Sequence, residues 1–412
     1  MKKVLILAII LMTILLSGIT VYKRGFDDPT QPSEKVAICY VIANTANSKG
    51  LNFQSPLVQD TIYSTILHYG YISIVNADGV PEVVFDNSFE IDTKYKNASE
   101  DKLEMEARSK ATNLISGMQN VIGDDPEVDY LEALHIAVRS LAPLEGYDSK
   151  KIIVLGTGLS TAGILNFKDN LISAKPEAIA KLLDEKSEIP NFTDITVYWQ
   201  QLGDVAPPQE ALTSAQKNNL KQIYSSLVET GGGTFVQNDI MAHPVNESVE
   251  YLSVTPVELP EDMIIFDVDK LDRKDDEAFN PPNILDEEQV QFIRDQANYL
   301  DTDMAVNHIR PIAEYLLQYE SVKLLLIGCT AGDVTDESTL KLSQDRADAV
   351  KNTLIELGVD ASRITAIGMG SSNPWHVRNV GYEGAAASGN RKVVLIDIRS
   401  PQAQEILKQM NY

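Results

Sequence analysis

The hydrophobic positions of this chain fall into short unbroken apolar runs, and stretches of helical period separate them. Val36-Ala-Ile-Cys-Tyr-Val-Ile42 and Lys151-Ile-Ile-Val-Leu155 show no polar alternation. That is the pattern of strands buried on both faces. Residues 71–75, 195–199 and 234–236 read as further strands, with Val83-Val84-Phe85 as another candidate. Between them, residues 57–69, 92–117, 129–141 and 211–229 read as helices. Asp129 opens Asp129-Tyr-Leu-Glu-Ala-Leu134, where its short carboxylate suits an N-cap. Gly231-Gly-Gly233 turns the last helix into the last strand. Strands alternating with helices imply an α/β domain with a mostly parallel sheet covered on both faces, expected over residues 35–254.

After this the pattern changes. Residues 255–303 are rich in acids and read as a solvated connection. Within them, Met263-Ile-Ile-Phe-Asp-Val268 reads as the first strand of a second domain, expected over 261–400. Residues 285–319 read as mostly helical and lead into the strand Val322-Lys-Leu-Leu-Leu-Ile-Gly328. Cys329-Thr330-Ala331 follows, then a helix carrying Leu342-Ser343-Gln344-Asp345-Arg346-Ala347. Gly358-Val359, Arg363-Ile364, Gly368-Met-Gly-Ser-Ser-Asn-Pro374 and Asn390-Arg-Lys-Val-Val394 complete the series.

That order and spacing resembles the OmpA-like peptidoglycan-binding domain, shared by OmpA proteins, Pal lipoproteins and MotB stator proteins. The family pattern runs G-[HY]-T-D, N-x-x-L-S-x-x-R-A, G-x-G-x-x-x-P, N-R-R-V. The resemblance implies an α/β domain with a small mixed sheet. It also implies a ligand, the diaminopimelate-type stem peptide of peptidoglycan. In the family the Asp of the first motif takes the ligand's ammonium and the Arg of the second takes its carboxylate. A planar guanidinium suits that task. Arg346 falls on the Arg position and Thr330 on the Thr position, but Ala331 stands where the Asp belongs. Thr339 replaces the Asn, and Asn390 and Arg391 match the closing motif. Asp333 lies near enough to take over the ammonium. The site implied is therefore Arg346, Thr330, Asp333, Thr339, Asn390 and Arg391. Without the family pattern, Arg346 reads as an exposed helix arginine in a weak surface ion pair. Gly332-Asp333 reads as turn chemistry, and Gly368 and Gly370 as backbone-conformation residues.

The first domain resembles a von Willebrand A-type domain. The echoes are Ile42-Ala-Asn-Thr, the helix opening at Asp129, the strand end Leu155-Gly-Thr-Gly158 and Thr230-Gly-Gly-Gly233. Such domains often hold a divalent cation through D-x-S-x-S and a later T-D-G. Here Asn44-Thr45-Ala46-Asn47-Ser48 and Gly156-Thr157-Gly158 stand in those places, so both carboxylates are gone. Neutral oxygens alone hold a hard cation weakly, and neither metal nor cofactor is expected.

Length and charge sharpen this picture. A chain of 412 residues suits two or three domains, each with its own core. A net charge of -24 excludes nucleic acid as a partner. Cys39 and Cys329 each close an apolar run. A disulfide between them stays open, with two buried thiols the favoured reading. Lys2-Lys3 precedes an apolar run over residues 4–22, about 28 Å long as a helix and enough to span a bilayer core. Lys23-Arg24 closes it and no A-x-A-like cleavage site follows. A retained single-pass anchor over residues 1–24 is expected, with the bulk of the chain extracytoplasmic at the cell membrane; a cleaved signal is the alternative. Ile19 stands where a lipobox after Leu16-Ser17-Gly18 would need its lipidated Cys. Residues 25–34, with Pro29 and Pro32, form an extended linker.

Nothing identifies an enzyme. Gly156-Thr-Gly-Leu-Ser-Thr161 lacks the third glycine of a dinucleotide loop, and Gly231-Gly-Gly233 lacks the lysine of a phosphate loop. The five histidines have no metal-helix spacing. The OmpA-like resemblance, together with the apolar run over residues 4–22, implies a membrane-anchored bacterial envelope protein that binds peptidoglycan non-covalently and tethers membrane to wall. One alternative is a MotB-like stator subunit. That role needs an intramembrane carboxylate, which residues 4–22 lack. The other is an adhesion or binding module anchored to the wall. The sequence names no protein partner for the first domain.

Overall fold

A computed structural model of the protein describes residues 34–90, 98–243, 251–265 and 278–410. The anchor expected over 4–22 lies outside the described residues. Among the described residues, no helix is long and apolar enough to cross a membrane.

The first sheet grows outward from β1 (Val36–Ile42), whose seven residues are all buried. It lies parallel to β2 (Tyr71–Asn76) on one side and β4 (Ser149–Leu155) on the other. An antiparallel edge strand, β3 (Glu82–Ser88), pairs with β2. On the far side β5 (Ile195–Gln200) and β6 (Thr234–Asn238) continue in parallel, giving the order β3-β2-β1-β4-β5-β6. The unbroken apolar run of β1 follows from two-sided packing. Val36, Ile38, Tyr40 and Ile42 enter a layer with α1 (Pro56–Leu67) and α2 (Glu100–Met118). Ala37, Cys39 and Val41 enter the opposite layer with α3 (Tyr130–Leu141), α4 (Pro176–Glu185) and α5 (Ser214–Thr230). Each such Ile or Val side chain stabilises the fold by about 1.5–3 kcal/mol. Asp129 caps α3 as expected, accepting a hydrogen bond from Glu132 N. The helix expected from residue 92 starts at Glu100, with 91–97 outside the described residues. No helix was expected at α4, although Pro176 at its first turn is a start signal.

The second sheet has the order β10-β9-β11-β8-β7. Its strands are β7 (Ile264–Ile265), β8 (Asn283–Leu285), β9 (Leu324–Cys329), β10 (Ile364–Gly370) and β11 (Val393–Asp397). β10 runs parallel to β9, and β11 runs antiparallel to both β9 and β8. Leu324 and Leu326 face α6 (Thr302–Gln318) and α7 (Glu337–Glu356). Leu325, Ile327 and Cys329 face the other way. After the short α8 (Ala385–Ser388) and β11, helix α9 (Pro401–Gln409) packs Ala403 and Ile406 on that face. Cys39 and Cys329 are free and buried, one in each sheet.

Two expectations fail here. Residues 286–301 are not helical. Asp286 Oδ1 accepts from Glu288 N and Gln289 N, which starts a turn. Phe292 and Tyr299 then pair across a loop, their ring centroids 5.2 Å apart. Helix α6 begins only where Asp301 caps Met304 N. The acidic connection is also not a free solvated face. Val257, inside the connection, is buried against the first domain beside Val254, and Gln209 and Gln216 of the first domain hold Val257 and Pro260.

Candidate functional site

The site forms where β9, α7 and the loop before α6 converge. Two glycines set the spacing. A Cβ on Gly328 would lie 1.9 Å from Ser343 O, and one on Gly368 would lie 2.3 Å from Gln344 N. Any side chain at either position would push α7 off the sheet. Ser343 Oγ accepts from Gly370 N at 3.0 Å, and Gln344 Oε1 accepts from Gly368 N at 2.8 Å. These bonds fix the rotation of α7 and aim Arg346 at the loop before α6.

Arg346 is 6 % exposed. Its Nε donates to Gln296 O at 3.0 Å, and the guanidinium carbon lies 5.1 Å from the Phe292 ring centroid. Among the described residues, neither Nη nitrogen has a protein hydrogen bond. Burial lowers its pKa, and the Arg391 charge adds to this. An arginine remains protonated in such a setting. The surface ion pair of an ordinary helix arginine is absent here among the described residues.

A cleft of about 470 Å³ opens beside it, lined among others by Glu287, Phe292, Thr330, Ala331, Tyr382 and Arg391. Thr330 Oγ1 is buried without a hydrogen-bond partner among the described residues. Arg391 Nε donates to both Glu287 oxygens at 2.8 and 2.9 Å, and its Nη1 donates to Tyr382 O at 3.0 Å. Ser388 Oγ also donates to Glu287. Tyr382 packs across Gly332, where φ is +85° and a Cβ would meet the ring at 2.2 Å. Thr339 lines the cleft too. It also closes a capping box with Asp336 at the start of α7, at 2.8 Å in each direction.

The cleft therefore collects Arg346, Thr330, Thr339 and Arg391. Asp333 and Asn390 are placed elsewhere. Asp333 Oδ1 accepts from Asn379 N at 3.0 Å and lies 3.2 Å from His376 Nε2. Asn390 is fully buried, and its amide pairs with Val377 N and Val377 O, both at 2.8 Å. Glu287, Phe292 and Gln296 were missed because their stretch read as helix. Asp301, a good N-cap just before an apolar period, was the signal that the helix starts after them.

In the first domain, the sheet order places its switch point between β1 and β4, where open α/β sheets hold ligands. The chain itself fills that place. Asn47 Nδ2 donates to Val254 O at 2.8 Å and its Oδ1 accepts from Val254 N at 2.9 Å. Thr157 Oγ1 accepts from Leu159 N at 3.3 Å. The Trp199 ring lies 5.3 Å from Tyr130 and 4.1 Å from Tyr224. Trp199 Nε1 donates to Gly156 O and Tyr224 OH to Gly158 O. Among the described residues, no group of three His, Cys, Asp or Glu side chains could hold a metal ion.

Residues 294–383 match the OmpA family. The chain is 41 % identical over 66 residues to outer membrane porin F of Pseudomonas fluorescens, covering 16 % of this chain and 20 % of that protein. It is 39 % identical over 83 residues to the peptidoglycan-associated lipoprotein of Haemophilus influenzae, covering 20 % and 52 %. It thus spans between a fifth and about half of the length of these two relatives. Among solved structures, the peptidoglycan-associated lipoprotein from Burkholderia pseudomallei aligns at 29 % identity, over 26 % of this chain and 86 % of that one, with a TM-score of 0.23. The matched stretch contains Thr330, Thr339 and Arg346, and residues 294–383 are an OmpA-like region within a longer chain.

Proposed function

We propose that the cleft binds the stem peptide of peptidoglycan through a free carboxylate. The chain would then be a non-catalytic envelope protein that tethers membrane to cell wall. The observation that carries this is the state of Arg346. One nitrogen is pinned to Gln296 and the guanidinium carbon lies over the Phe292 ring, while among the described residues neither Nη group nor the Thr330 hydroxyl in the same cleft has a protein partner. A guanidinium held this way presents a two-pronged donor to a carboxylate. The match to the OmpA family, and to a relative named peptidoglycan-associated lipoprotein, supports the same ligand. Ala331 leaves the diaminopimelate ammonium without the family's acid, so binding is weaker than in relatives that keep it.

In this proposal residues 4–22 anchor the chain and the rest lies outside the cytoplasm. The first domain is a degenerate von Willebrand A-type module, supported by its sheet order and by the missing metal carboxylates. Sedimentation of the full chain, in mild detergent, with purified diaminopimelate-type sacculi tests the function. The protein is expected in the pellet; protein that stays in the supernatant contradicts the proposal.

A further inference from the structure

The loop that walls the cleft is held from outside its own domain. Residues 374–391 run between β10 and β11 and carry Tyr382 and Arg391 into the cleft. The other side of this loop rests on the first domain, on the segment after β4. Asn170 sits there with φ at 62° and is 4 % exposed. Its Nδ2 donates to His376 O at 2.8 Å and to Pro374 O at 3.3 Å. Arg378 N donates to Asp169 O at 2.8 Å. Lys175 pairs with Asp286 at 3.0 Å and Glu288 at 3.2 Å, the two residues flanking Glu287. Val377, Val380 and Ala386 share an apolar cluster with Leu171, Ile172 and Ala178.

The contacts continue to the cleft floor. His376 faces Asp333 at 3.2 Å, Asp333 also accepts from Asn379 N, and Gly332 N donates to Gly381 O at 3.0 Å. Ala331 and Thr330 are the next residues back along the chain. We infer that the first domain is the positioning module of the cleft. The carboxyl end of its sheet, the usual ligand end, holds residues 374–380 and so fixes Tyr382 and Arg391, which follow, against Arg346. The partner of the first domain is then the second domain of the same chain. The docking rests on contacts alone; its effect on ligand rests on the wall-peptide proposal. A loop that is already ordered does not have to be ordered by the ligand, which raises affinity.

Asn170→Gly tests this, because glycine keeps the left-handed backbone and removes the amide. In the full chain, amide exchange across 376–384 should accelerate about tenfold while β9 stays protected. Affinity for a soluble diaminopimelate muropeptide should fall roughly 3- to 10-fold. Lys175→Glu, which gathers three acids, should act alike, and Lys175→Arg should match the parent. Unchanged exchange in Asn170→Gly and Lys175→Glu overturns the inference. So does faster exchange with parental affinity. A parent that binds no muropeptide overturns the wall proposal instead, and the exchange readout then decides the docking without ligand.

Discussion

Arg346, Ala331 and Lys392 show how little a residue's type says before its surroundings are known. The motif made Arg346 a clamp candidate, but Gln296 and Phe292 hold its side chain, and neither belongs to a motif. Ala331, 8 % exposed on the cleft floor, is the reverse case, a motif position emptied of its chemistry. Ala331→Asp is expected to raise muropeptide affinity about tenfold, the worth of one charge-assisted bond. Calorimetric titration checks this, and unchanged or weaker binding would place the ammonium elsewhere. Lys392, in the closing motif, is buried and donates to Trp375 O at 2.8 Å. Burial brings its pKa from 10.5 down to about 8. Between those values the unfolded chain holds a proton that the folded chain has lost. This group therefore makes stability rise with pH across that window, and its cost is fully present below about pH 8. Lys392→Met should melt higher than the parent near pH 7, with the gap shrinking toward about pH 10. A gap that is constant with pH would show that the amine is not destabilised by burial.

At the scale of elements, the strands and the L-S-x-x-R-A helix were legible because their patterns are local. An unbroken apolar run can hide all its side chains only in a sheet covered on both faces, and β1 does so. The motif order likewise located Thr330, Thr339, Arg346 and Arg391 around one cleft. What the sequence hid depends on distant partners. Residues 286–301 carry enough apolar spacing to imitate a helix, but Asp286 turns the chain and Phe292 closes on Tyr299. Asp333 looked available, yet its carboxylate is committed to the 376–379 loop. Residues 255–260 were read as part of a solvated connection because the whole stretch 255–303 is acid-rich; they form a strap on the first domain. Its attachment comes from neutral amides, Asn47 to Val254 and Gln209 to Val257, the latter at 3.0 and 2.7 Å. Asn47→Ala leaves a buried backbone donor and acceptor unpaired and should cost about 1–3 kcal/mol. Denaturant unfolding measures it, and a loss under about 0.5 kcal/mol would mean that the strap contributes nothing to stability.

Across the whole molecule, the first domain spends its ligand-binding edge on its own chain. Its switch point holds the strap, and the segment after β4 holds the cleft-lining loop of the second domain. Saturating Mg²⁺ or Ca²⁺ should therefore leave the melting temperature unchanged, since an ion that bound the native state would raise it. A rise reversed by chelator would contradict this. If Arg346 grips a wall-peptide carboxylate, as proposed, titration of a soluble diaminopimelate muropeptide into the full chain shows it. The parent should bind, Arg346→Ala should lose about 1.5–3 kcal/mol, or roughly 10- to 150-fold, and Arg346→Lys should recover only part because an ammonium lacks the fork. Equal binding by the parent and Arg346→Ala would contradict the proposal.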